Sequence, residues 1–218
     1  MDRWLRTLAA AVGSAGVTVA FACKPPAPLA ENTAPLVSET EVVMYEPSVP
    51  SGPHEKGACW SSSIAVLRAG AWRCTVGNLI HDPCFSIRAL HRAVVCGADP
   101  ATAKPGFVME LAKPLPDADL SAQVKPEPWL MRLADGTVCE KMTGTVADID
   151  GVAVPWGCND SRANPRPGED EYYSGVLENL RRGKVWMANK VRYAPTRDPA
   201  HPLRVLKRQT VAVRTVWE

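Results

Sequence analysis

The stretch 59–96, CWSSSIAVLRAGAWRCTVGNLIHDPCFSIRALHRAVVC, constrains this chain more than any other. It holds four of the seven cysteines, two of the four histidines and two of the seven tryptophans. Cysteines gathered this way cross-link a domain, hold a metal or act as nucleophiles, and the redox compartment decides which. The compartment is read from the N-terminus.

Arg3 and Arg6 precede residues 7–22, TLAAAVGSAGVTVAFA, which carry no charge. The run is short for a spanning helix, which needs about 20 residues. A basic start, an apolar centre and a small-residue end make an export signal, with Ala20-Phe21-Ala22 as an A-x-A cleavage site. Cys23 follows at once. A cysteine in this place resembles the lipobox of bacterial lipoproteins, with Ala20 where that family usually has leucine. The resemblance implies lipidation of Cys23, its exposure as the new N-terminus, and anchorage in a membrane. Ordinary cleavage after Ala22 is the alternative and releases a soluble protein.

Parity favours the lipid. Setting Cys23 aside leaves Cys59, Cys74, Cys84, Cys96, Cys139 and Cys158, an even set for an oxidising space. Six cysteines allow 15 pairings. Nearest-neighbour pairing is preferred: 59 with 74, 84 with 96, 139 with 158. Loops of this size each remove about 3 kcal/mol of unfolded-chain freedom. The competing metal set is His81, Cys84, His91 and Cys96, whose types suit zinc. Its spacing is looser than a paired C-x2-C signature, and export favours disulfides, so no metal or cofactor is assigned.

Twenty-five basic and 23 acidic residues leave a net charge of +2, too balanced for a nucleic-acid binder. Residues 1–22 are read as the signal and 23–57 as a proline-rich tether. Within the tether, Val42-Val43-Met44-Tyr45 is apolar enough to add an edge strand or dock weakly. The folded domain is placed at 58–218. Residues 61–69 suit a short helix capped by Ser61 or an irregular strand. Asp82-Pro83 marks a turn, Ile87, Leu90, His91 and Val94 fit helical spacing while 93–96 also suits a strand, and residues 176–180 allow a helix closed by Gly183. A continuous apolar run predicts a strand at 107–111, and the β pattern continues at 129–133, 138–142, 152–158, 184–191 and 208–217, with a hairpin at Asp135-Gly136. The expected fold is mainly β with small helices (β-rich α+β), in a single extracytoplasmic domain stapled by disulfides.

Four further patterns bear on activity. Ser61-Ser62-Ser63, His81 and Asp82 supply the residue types of a hydrolase but no recognisable frame, so no catalytic residue is assigned. Asp148-Ile149-Asp150-Gly151 echoes a calcium loop without its closing glutamate, and a hairpin turn explains it better. Gly168-Glu169-Asp170-Glu171 reads as a solvated acidic loop. Trp60, Trp72, Trp129, Trp156, Trp186 and Trp217 serve the core, or, where exposed, stack on sugar rings.

The runs AWRC-TVGN-LI-HDPCF, DG-TVC and VAVRTVW resemble segments shared by uncharacterised exported bacterial proteins. That resemblance implies a common scaffold and carries no activity. The expectation is an exported, lipid-anchored cell-envelope protein, binding or structural in role, whose partners are the membrane through Cys23 and a cell-wall polymer or envelope protein. The alternative is a secreted hydrolase of envelope polymers.

Overall fold

Strands run through the whole described chain. The computed structural model describes residues 36–52, 54–116, 127–199 and 201–218. All of them lie in the compact unit Thr33–Glu218. Strand β1 (Glu41–Val43) precedes β2 (His54–Ser62), β3 (Ala71–Val76), β4 (Leu79–Ser86), β5 (Ala93–Cys96) and β6 (Phe107–Leu111). The second half contains β7 (Leu130–Leu133), β8 (Val138–Lys141), β9 (Ala147–Ile149), β10 (Val152–Val154), β11 (Trp156–Cys158), β12 (Tyr173–Val176), β13 (Trp186–Pro195) and β14 (Leu203–Trp217).

Strands β2 to β6 close a barrel in sequence order. Five strands that alternate in direction leave the first and last parallel, and β2 pairs with β6 that way. A second ring runs β14-β13-β12-β11-β8-β7 and closes by the β14–β7 pairing, antiparallel because its strand number is even. Inward positions at period two fill each ring. The first encloses Cys59, Trp72, Cys74, Cys84, Val94, Cys96, Met109 and Leu111. The second encloses Met131, Leu133, Trp156, Val176, Ala188 and Val213 around Cys139 and Cys158. Between them Ala65, Val66, Ala71, Phe85 and Ala101 pack against Trp129, Leu130 and Trp217.

The segment 40–45 joins that seam. Strand β1 runs parallel to β14, with Glu41 opposite Thr215 and Val43 opposite Trp217. Thr40 Oγ1 donates to the Val213 carbonyl at 2.7 Å and accepts the Trp186 amide at 2.7 Å. Tyr45 places its ring 5.5 Å from that of Phe85 and 5.9 Å from that of Trp129.

The β-rich expectation holds, but the small helices do not: no helix occurs among the described residues. At 61–69 the amide of Ile64 is taken by Asp82 and that of Val66 by the Ser63 hydroxyl, which closes turns in place of a helical ladder. At 87–94 a single turn, Leu90 N to Ile87 O, is stopped by Arg92 at φ 58°. Val176 belongs to β12, opposite Lys190. Asp82-Pro83, read as a turn, lies inside β4, where the ladder with β3 skips between Trp72 and Cys74. The skip suits a residue without an N–H to donate.

Asp135-Gly136 does connect a hairpin, but by a three-residue loop. Leu133 pairs with Thr137 through its amide, and only Gly136 takes positive φ. The two-residue turn with positive φ at both positions is Asp150-Gly151, between β9 and β10.

Candidate functional site

Cys59 faces Cys74 and Ser61 faces Arg73 across the β2–β3 ladder, so Trp60 is the extra residue of a bulge. A bulge re-aims the side chain it inserts. Trp60 is 47% exposed, whereas Trp72, Trp129, Trp156, Trp186 and Trp217 are buried. The Arg73 guanidinium lies 5.7 Å from the Trp60 ring centroid. It also donates to the Thr143 carbonyl at 3.2 Å and sits 3.8 Å from Asp82 Oδ2. Arg73 thus reaches from the first barrel to the β8–β9 turn of the second. Ile64, whose amide donates to Asp82 Oδ2 at 3.2 Å, and Met142, next to Thr143, are both exposed. An aromatic face and a cation therefore share one surface.

Behind that surface is the serine–aspartate group singled out from the sequence. The Asp82 side chain is fully enclosed. Ser63 Oγ donates to Asp82 Oδ1 and accepts the Val66 amide at 2.9 Å. Burial pushes the Asp82 carboxyl above its ordinary value, while the bonds from Ser63, Ile64 and Ala65 and the charge of Arg73 oppose that rise. His81 serves other neighbours: its ring meets Phe107 edge-on at 5.1 Å, and burial pushes its pKa down. The imidazole is not bonded to Ser63 or to Asp82. Ser61 Oγ donates to the Ser62 carbonyl at 3.1 Å. What this group does chemically is brace a turn.

The six cysteines form three disulfides, Cys59–Cys74, Cys84–Cys96 and Cys139–Cys158, in nearest-neighbour order. Each joins residues directly opposite on adjacent antiparallel strands. The set His81, Cys84, His91 and Cys96 loses both thiolates to one bond, and His91 sits on an exposed loop. Asp148 accepts the Gly151 amide at 2.8 Å and Asp150 pairs with Arg208, as a hairpin turn requires. Cys23 lies outside the described residues.

A polar cluster at one end of the second ring was not visible in the sequence. Lys190 continues the inward series Trp186, Ala188 on β13 and is 6% exposed. Its Nζ donates to Asp135 at 3.0 Å and Thr137 Oγ1 at 2.6 Å, and lies 2.9 Å from Asp160. Burial alone would raise both carboxyls; the bonds and charge of Lys190, with the Thr137 donors at Asp135 and the charge of Arg192 at Asp160, outweigh it and hold both below the ordinary value. Beside this cluster Tyr172 lies between Arg192 at 4.3 Å and Arg162 at 5.5 Å. These residues, with Glu169, Asp170 and Lys207, line an open groove of about 570 Å³. A lone lysine at an inward strand position was the only signal in the sequence.

No protein-family model, curated protein or solved structure matches the chain. What it does is a question for its own side chains.

Proposed function

We propose that the chain is an exported protein of the cell envelope, anchored to a membrane by a lipid on Cys23, which binds cell-wall polymer without catalysis through the surface around Trp60. The export signal and the cysteine after Ala22 support the location, and three disulfides are compatible with an extracytoplasmic space. The observation that carries the binding role is Trp60 itself. A bulge holds an indole half in solvent on a disulfide-braced strand, with a guanidinium at hand to donate to hydroxyl or acidic groups. The hydroxyl and carboxylate best placed for hydrolysis hold a turn together, which favours binding over catalysis.

The test is retention of the purified mature protein on isolated cell wall. Losing one aromatic contact worth about 1 kcal/mol should lower the affinity of Trp60→Ala roughly five- to tenfold, with its thermal midpoint kept. Equal retention of variant and wild type removes Trp60 from any binding surface. In cells, Cys23→Ser should move the protein from the membrane to the soluble fraction; unchanged membrane association refutes the anchor.

A further inference from the structure

Two of the disulfides meet. The sulfur atoms of Cys74, Cys84 and Cys96 lie within 4.8 Å of one another, although Cys74 is bonded to Cys59 and Cys84 to Cys96. The meeting point is inside the first barrel, walled by Trp72, Val94, Met109 and Leu111. Cys74, Cys84 and Cys96 are 0% exposed, and Cys59 is the most accessible of the four at 9%. Cys139 and Cys158 belong to the core of the other ring.

We propose that Cys59–Cys74 and Cys84–Cys96 form one thiol-exchange site, entered at Cys59 by a dithiol reductant. In the entry step a thiolate of the dithiol attacks Cys59 Sγ. The Cys59–Cys74 bond breaks, a mixed disulfide forms on Cys59, and Cys74 leaves as thiolate. The second thiol of the reductant then closes on the first, releases Cys59 as a thiol and leaves the reductant as a disulfide. In the transfer step the Cys74 thiolate attacks Cys84 Sγ. The Cys84–Cys96 bond breaks, Cys74–Cys84 forms, and Cys96 leaves as thiolate and takes up a proton. Transfer consumes no oxidant or reductant, because one disulfide replaces another. Attack on Cys96 instead gives Cys74–Cys96 and frees Cys84. The first outcome is favoured, since Cys74 and Cys84 lie on adjacent strands of one ladder.

Two effects oppose each other in the transfer. An apolar interior raises a thiol's pKa and thins the attacking thiolate. Confinement within 4.8 Å of both target sulfurs replaces a bimolecular encounter by an internal one. Exchange is therefore slow near neutrality and accelerates by up to about tenfold per pH unit below the thiol pKa. After one reduction the four cysteines of the first barrel exchange a single remaining disulfide among themselves, and the third cross-link is independent of them.

Cys59→Ser tests the transfer without any reductant. Its mature chain is held under native conditions, quenched with an alkylating agent and mapped by peptide mass. The expected result is label moving from Cys74 to Cys96, with linked Cys74–Cys84 peptides, faster as the pH is raised toward about 8.5, and none at Cys139 or Cys158. Label confined to Cys74, in a sample that does exchange once denatured, overturns the proposal; so does label spread over all the cysteines. Should the variant not fold, limited reduction of the wild type decides. A rearranged Cys74–Cys84 or Cys74–Cys96 species supports the site, and accumulation of protein reduced at Cys59–Cys74 with Cys84–Cys96 intact refutes it.

Discussion

The disulfide of the second ring gives the sharpest stability prediction. Cys139 and Cys158 are 19 residues apart and bridge β8 to β11 around the β9–β10 hairpin. In the chain-entropy model, opening a loop of this length returns about 11 cal/mol/K to the unfolded state, or about 3 kcal/mol at 25 °C. Both sulfurs are buried, Cys139 at 0% and Cys158 at 6% exposure. Replacing both residues by alanine removes about one methylene equivalent each from the core, roughly 1 kcal/mol apiece. Cys139→Ala/Cys158→Ala should therefore lose about 3–5 kcal/mol, a large part of the roughly 5–15 kcal/mol that holds a domain together. Urea unfolding followed by tryptophan fluorescence measures it, since Trp156 and Trp186 lie in the same cluster. The midpoint should fall, with a slope that rises as the unfolded chain loses a cross-link. A loss below about 1 kcal/mol at unchanged slope would mean that the ring is closed by its ladders alone, and the entropy argument would fail.

Two other outcomes follow from local geometry. A methyl group added at Gly175 would sit 2.5 Å from the Trp156 carbonyl oxygen and 2.5 Å from Val154 Cγ1, so Gly175→Ala should cost about 1–3 kcal/mol by calorimetry; Gly144→Ala, which meets nothing within 4 Å, is the control, and equal midpoints would refute the close approach. Asp135 and Asp160 are held below their ordinary value of 3.8, so the stability they lend is complete above that pH and disappears as pH falls through their depressed folded values. Lys190→Met should flatten the fall of Tm with acid in that window, and parallel curves for variant and wild type would show that Lys190 does not set these carboxyls.

How much of this was legible in the chain depends on the distance over which each feature is decided. A continuous apolar run located β6, and alternation located the end of β14, where the burial of one face is written into every second residue. Two cysteine pairs were legible because consecutive strands lie side by side, β2 against β3 and β4 against β5; Cys139 and Cys158 meet on β8 and β11 across the β9–β10 hairpin, which spacing alone does not announce. The helices expected at 61–69, 87–94 and 176–180 rested on two or three spaced apolar residues. Ser63 and Ile64 take their partner, Asp82, from 18 or 19 positions away, which no local pattern announces. Trp60 was visible as an aromatic residue beside a cysteine, but its outward aim comes from a register slip, decided by two strands together. Lys190 depends on Asp135 and Asp160 from two other strand ends.

Strand β14 gives the fold an order of events. It pairs with β13 beside it, with β7 across the ring closure and with β1 at the far end of the sequence. For a polypeptide threaded out of a narrow channel with its N-terminus leading, β2 to β6 can assemble as soon as they emerge. Strand β1 then waits beside a finished barrel for a partner more than 170 positions behind it, a contact whose long loop makes closure slow. The first barrel closes on its own five strands, whereas the closure of the second ring and the docking of β1 both need β14.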